Sequence, residues 1–226
     1  MKKLPNYLIA LVIVLALLSA HDGPLPVRAA PPLWAFVVVG QSNAVLMCPY
    51  LVDDIAAVYG TSPRTICAGV NGSNIASWQP GQPNYYSAVS QVQAAIADGY
   101  TVKAVIFNHG ENDAEFASTT NYAAQANTFL DAFRAAIGNQ YAYVVYTQLG
   151  DKPVIPAGFQ NFVNWNVIRT AQHEMRANRP TYFMIDKAPY DIYDTQSPPY
   201  AHDTPAAQSL IANQIVRAIQ FFVPVP

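Results

Sequence analysis

The chain has little charge and little cysteine. Only 12% of its 226 residues are charged, and the formal net charge is −2. No basic run or patch stands out, which argues against nucleic acid as a partner. The two cysteines, Cys48 and Cys67, lack the CxxC or Cys/His spacing of a zinc site, so no structural metal is implied. No apolar run reaches the roughly 20 residues that a membrane-spanning helix needs. Internal repeats and a break in composition that would mark a second folded domain are also missing.

What is present begins with a leader. Lys2 and Lys3 precede an apolar run from Tyr7 to Ala20, and His21, Asp22, Gly23 and several prolines follow. This is the layout of a secretory signal peptide. Residues 1–29 are therefore predicted to be a signal peptide, or an amino-terminal anchor if retained, with a stiff proline-rich spacer running to Pro32. Cleavage after Ala20 or after Ala29 fits equally well. The expected location is secreted, periplasmic or extracellular, and a membrane is a partner only if the segment stays. Cleavage at the later site removes Lys2, Lys3 and Arg28 against Asp22 and leaves the remainder more acidic. Residues 30–226 suit one domain with a sizeable core. In an exported chain Cys48 and Cys67 either pair, closing a loop of about 20 residues, or remain as two small buried thiols; pairing is the favoured expectation.

Trp34 to Met47, WAFVVVGQSNAVLM, organises the rest. An apolar strand pattern stops at Gly40, and Gln41-Ser42-Asn43 leads straight into a helical pattern. A serine there stands where unpaired N–H groups and the helix dipole favour developing negative charge. Taken alone, Ser42 reads equally as a helix cap. Downstream, strand patterns at 64–68, 102–108, 141–148 and 182–186 alternate with helical patterns at 44–59, 85–97, 121–137, 162–177 and 205–222. Leu46, Val52, Ile55, Val58 and Tyr59 are expected in the core of the first helix, and Phe129, Leu130 and Phe133 in that of the third. Alternation of this kind predicts an α/β fold: a single three-layer α/β/α domain around a mostly parallel sheet. Ligands of such sheets bind at the carboxyl ends of the strands. Ser42, Gly72, Asn112 and the loop carrying His202 all fall at that edge.

Four short blocks occur in order: Gly40-Gln41-Ser42-Asn43, then Gly72-Ser73-Asn74-Ile75-Ala76-Ser77-Trp78 with Pro80-Gly81, then Gly110-Glu111-Asn112-Asp113-Ala114, and His202 before the terminal helix. In these the chain resembles the SGNH (GDSL-like) hydrolases, whose fold is flavodoxin-like, and most closely their carbohydrate-esterase branch of acetylxylan esterases and sialate O-acetylesterases. The resemblance implies a serine esterase that removes acetyl or other short acyl groups from carbohydrate hydroxyls, with no cofactor and with a small-molecule or polysaccharide ester as its partner. Ser42 would be the nucleophile and His202 its base. The Ser42 and Gly72 backbone N–H groups and the Asn112 side chain would form the oxyanion hole, with Gly69 as the fallback for Gly72.

The chain departs from that pattern at the acid. Three residues before His202, where the orienting carboxylate usually lies, stands Pro199. Loss of such a carboxylate lowers turnover by about four orders of magnitude in a serine protease. Asp194 is the favoured substitute, Asp191 an alternative, and Asp203 would have to fold back; a Ser–His dyad served by a backbone carbonyl is a further route. His109 stands where the branch usually has Gln, and on chemistry alone it competes with His202 as base, whereas His173 is expected to be solvated. Glu111 and Asp113 are expected to brace their loop by accepting backbone N–H bonds. Trp78 and the tyrosines between 190 and 200 are candidate walls for a sugar ring or packed side chains. The alternatives are an esterase or lipase of broad acyl specificity on the same fold, and a noncatalytic carbohydrate-binding protein with a degraded triad.

Overall fold

A computed structural model describes residues 33–116, 121–152, 163–190, 193 and 202–225. Five strands form one sheet in the order β2-β1-β3-β4-β5, and every pairing is parallel. They are β1 (Trp34–Gly40), β2 (Arg64–Cys67), β3 (Thr101–Asn108), β4 (Tyr143–Gln148) and β5 (Tyr182–Asp186). The central three are rich in Val, Ile, Phe and Tyr and almost wholly buried, as strands covered on both faces must be.

Alternation along β1 assigns its side chains to two cores. Ala35, Val37 and Val39 pack beneath α2 (Pro83–Ala97), α4 (Tyr122–Ala136) and α5 (Trp165–Glu174), while Phe36 and Val38 pack beneath α1 (Ser42–Tyr59) and α6 (Pro205–Phe222). The expected elements thus form, with ends shifted by a few residues. Three short pieces among the described residues had no distinct periodicity to announce them: 3-10 turns at Ile75–Trp78 and Ala188–Tyr190, and the six-residue helix α3 (Glu111–Phe116).

The core of α1 corrects one expectation. Ala44, Met47, Cys48, Leu51, Ile55 and Tyr59 form its buried stripe, whereas Leu46 and Val52 are each 40% exposed. Helical steps of 3.6 residues put those two on the flank of the stripe that begins at Ala44. The expected core of α4 is correctly placed, with Phe129, Leu130 and Phe133 all fully buried. Cys48 on α1 and Cys67 at the end of β2 form a disulfide with their Cα atoms 6.0 Å apart. Closing a loop of this size contributes about 3 kcal/mol.

Candidate active site

The carboxyl ends of β1 and β3 approach each other closely. The Gln41 N–H donates to the Asn108 carbonyl at 3.1 Å, and the loop after β2 is drawn in by the Val70 N–H, which donates to the Gly40 carbonyl at 2.8 Å. Gly40 sits between them at φ +135°, where a Cβ would stand 2.0 Å from the Asn108 carbonyl oxygen. Only glycine fits there.

Gln41 is the N-cap of α1, and Ser42 is its first helical residue. The Ala44 and Val45 N–H groups both bond to the Gln41 carbonyl, and no bond to a described residue is formed by the Ser42 N–H or hydroxyl. Gln41 thus takes the N-cap position, without a side-chain capping bond, and among the described residues the Ser42 hydroxyl and N–H are left unspent at the positive end of an 18-residue helix.

The residues on either side of Ser42 are buried and engaged. Gln41 Nε2 donates to Glu111 Oε2 at 2.7 Å, and Asn43 Nδ2 donates to Glu111 Oε1 at 2.7 Å. Gln41 Oε1 in turn accepts from the Asn112 backbone N–H at 3.1 Å. On the other side, Asn43 Oδ1 accepts from the Asp203 backbone N–H at 3.1 Å. The turn that carries Ser42 is thereby tied to the Asn112 backbone through Gln41 and to the residue after His202 through Asn43. The half-buried Asn112 side-chain amide has no hydrogen bond to a described residue. His202 is half-buried too, directly ahead of the buried Asp203.

The second block is tied to the third. Asp113 accepts the Ile75 N–H at 3.1 Å on both carboxylate oxygens, while Trp78 Nε1 donates to Ser73 Oγ at 2.9 Å and Ser73 Oγ donates to the Val70 carbonyl at 2.8 Å. Gly72 stands exposed between these anchors at φ +65°.

Beneath the serine turn is a fully buried ionic group that sequence reasoning missed. Lys187 Nζ, immediately after β5, donates to Glu111 Oε1 at 2.7 Å and to both oxygens of Asp203 at 3.1 Å. Burial alone would raise the Glu111 carboxyl, but the Lys187 ammonium and the bonds from Lys187 and Asn43 hold it below its usual range. Burial pushes Asp203 up to about 6, with Lys187 opposing and the Glu111 charge adding to the rise. The available signal for Lys187 was its place: the pattern YFMID ends at Asp186, which puts the next residue on the edge where the blocks meet.

Several expectations need correction. Glu111 does more than brace its loop: beside the expected backbone N–H bond, it accepts from the side chains of Gln41, Asn43 and Lys187, because its helix turns it inward beneath the serine turn. Asp203 does not fold back toward His202, since both its oxygens face Lys187. His109 is a packed core side chain, stacked on Phe107 at 5.2 Å and with Nδ1 3.1 Å from the Tyr122 hydroxyl; burial lowers it to about 4. Trp78 is fully buried and is no wall. Tyr193 is buried too, its ring 5.4 Å from that of Trp165. His173 is exposed as expected. Asp191, Asp194 and Pro199 lie outside the described residues. Among the described residues, no cluster of His, Cys, Asp or Glu is arranged to hold a metal ion, and no helix is long and apolar enough to cross a membrane.

A parallel sheet of order 2-1-3-4-5 is a doubly wound, flavodoxin-like fold, and solved structures of GDSL-like lipases and acylhydrolases share it with this chain. The chain is similar in structure to a protein from Arabidopsis thaliana (TM-score 0.67, 13% identity, covering 85% of this chain and 99% of that one). It is also similar to NanS (TM-score 0.63, 13% identity, 87% and 99%) and to a carbohydrate acetylesterase from Xanthomonas citri (TM-score 0.60, 18% identity, 77% and 40%). At these identities the likeness is one of fold. No curated protein matches the sequence significantly. Residues 64–220 match the family described as carbohydrate esterase, sialic acid-specific acetylesterase, and the chain belongs to that family. It is a carboxylic ester hydrolase. The matched region begins at β2, so the Ser42 turn lies ahead of it and rests on the geometry above.

Proposed function

We propose that the protein is an exported serine esterase that removes acetyl groups from carbohydrate hydroxyls. The observation that carries this is the engagement of the residues around Ser42. Gln41 accepts the Asn112 N–H and Asn43 accepts the N–H of Asp203, the residue after His202, while Ser42 and the Asn112 amide have no described partner; this supports a site in which nucleophile, base and oxyanion donor meet.

In the reaction, Ser42 Oγ attacks the ester carbonyl carbon as His202 takes the hydroxyl proton. The oxyanion of the tetrahedral intermediate is held by the Ser42 N–H, the Gly72 N–H and the Asn112 side-chain amide. Each such donor is worth roughly 3 to 4 kcal/mol. His202 then gives its proton to the departing sugar oxygen, leaving acetyl-Ser42. Water attacks that ester with His202 again as base, and acetate leaves. Asp194, which precedes His202 in the same loop, is the proposed orienting acid. The amino-terminal segment fits a role in export, and the sugar is accepted from the open rim at the strand ends.

The test is acetate release from p-nitrophenyl acetate, O-acetylated sialic acid and acetylated xylan by the protein, beside Ser42→Ala, His202→Ala and Asn112→Ala. The first two variants are expected to lose at least three orders of magnitude in kcat and the third roughly two to three. Turnover by Ser42→Ala at the rate of the unaltered protein would refute the mechanism. A preference for long-chain esters over both sugar esters would refute the substrate class.

A further inference from the structure

An ammonium buried as completely as that of Lys187 is held only where its partners compensate for the water it loses. Its partners here belong to two different parts of the site. Glu111 comes from the helix after β3 and holds both neighbours of Ser42; Asp203 follows His202. Because the Asp203 N–H is bonded to Asn43, and Asn43 to Glu111, the contacts close a circuit: Asn43 to Glu111, Glu111 to Lys187, Lys187 to Asp203, and Asp203 back to Asn43. The Gln208 amide adds a strut, donating to the Asp203 carbonyl at 2.7 Å from the first turns of α6. A closed circuit constrains relative position far more than any one of its bonds, because no member can shift without stretching two contacts.

We propose that Lys187 is a positioning residue for ester hydrolysis: its ammonium bridges Glu111 and Asp203 and so holds the His202 segment in register with the Ser42 turn. This rests on the assignment of Ser42 and His202 made above. The bridge places the base in a chain whose usual acid position is Pro199, and it does so through the backbone rather than through the imidazole. The charge matters as well as the bonds. Among the described residues the group holds two carboxylates and one cation with Lys187; without it, two buried carboxylates remain. Among the described residues, the other titratable groups nearby are His202 itself and, behind Glu111, Asp113, His109 and Tyr122, all three of which feel the Glu111 charge. The Tyr193 ring lies 5.4 Å from the ammonium.

The experiment compares Lys187→Met, Lys187→Met/Asp203→Asn, Asp203→Leu and Ser42→Ala with the unaltered protein on p-nitrophenyl acetate and on O-acetylated sialic acid, across pH. Lys187→Met is expected to lose roughly 100-fold in kcat, the scale of a displacement of about 1 Å in a reacting group, with KM unchanged. Its residual activity should decline as pH rises and both carboxylates ionise, while that of the unaltered protein does not. Asp203→Asn, added to Lys187→Met, returns the group to one negative charge and supplies an amide donor toward Glu111, and is expected to recover at least tenfold in kcat. The void left by the lysine is the same in both variants, so recovery separates positioning by charge from simple packing.

Lys187→Met with the kcat of the unaltered protein would overturn the proposal, and so would a folded double variant no faster than a folded single one. Should Lys187→Met fail to fold, Asp203→Leu decides. That variant cuts the bridge while leaving Lys187 paired with Glu111; lowered kcat at constant KM supports the proposal and unchanged kcat overturns it. Ser42→Ala separates the two levels: its full activity would remove the assigned nucleophile, whereas its inactivity beside a fully active Lys187→Met would remove only the role of Lys187.

Discussion

Replacing Glu111 by alanine deletes the acceptor on which three buried donors depend. Gln41 Nε2, Asn43 Nδ2 and Lys187 Nζ all reach this one carboxylate at 2.7 Å. A buried donor left without a partner costs about 1–3 kcal/mol, and removing one member of a buried ion pair costs about 3–5 kcal/mol. Lys187 keeps Asp203, so the lower figure applies to it; with the lower figure for the Gln41 amide as well, the expected loss is about 4 kcal/mol. That is a large share of the stability of a domain, typically about 5–15 kcal/mol. Urea unfolding followed through the fluorescence of the buried Trp78 and Trp165 measures it. The comparison variant is Asp98→Ala, which breaks the Arg64–Asp98 pair at 3.0 Å, where the two side chains are 45% and 63% exposed; this should cost less than about 1 kcal/mol. If Glu111→Ala loses no more stability than Asp98→Ala, the three donors find other partners and the network beneath the serine turn is not the support described here.

Two further outcomes follow from the same geometry. Gly40→Ala puts a methyl group into the Asn108 carbonyl at a positive φ and is expected to cost about 3 kcal/mol or more. Gly72→Ala, with nothing within 4 Å of its Cβ, should cost only the about 1–2 kcal/mol of a left-handed backbone; equal thermal-melt losses for the two would refute the packing account. Asp113 is raised to about 7, by burial first and by the Glu111 charge, against the pull of the Ile75 N–H. A carboxyl that keeps its proton longer when folded stabilises fully below its unfolded value and loses that contribution as pH rises through about 7. The stability of the unaltered protein relative to Asp113→Asn, which retains an acceptor for Ile75, should therefore fall between about pH 5 and about pH 8 in denaturant titrations; a rise over that interval would refute the assignment.

Much of the site's outline was legible because strand and helix periodicity are local. WAFVVVG could only be a strand buried on both faces, and such strands in alternation with helices place their following turns on one edge. The expectation that Ser42, Gly72, Asn112 and His202 share that edge follows from this rule and from the short blocks around them. Pairing of the two cysteines was expected because the chain reads as exported, and the first βαβ unit brings them together. The side-chain polarity of Glu111 and Asp113 was equally plain, but their partners were not.

What periodicity does not carry is the direction in which a polar side chain turns once elements pack. Asp113 and Glu111 stand two residues apart, yet one caps the second block through Ile75 and the other gathers Gln41, Asn43 and Lys187. Leu46 and Val52 read as core and Leu51 did not, because a shift of one residue turns a helix by about 100°. Lys187 carried no signal beyond its place after a strand, and Asp203 read as a stand-in for the missing acid until its carboxylate was seen facing that lysine. The sequence by itself determined the elements, their order and the edge on which the chemistry is gathered, since these depend on local pattern and on the handedness of parallel crossovers. Only the tertiary structure decided which buried charges compensate one another, because that depends on distances between residues 76 and 160 positions apart in the chain.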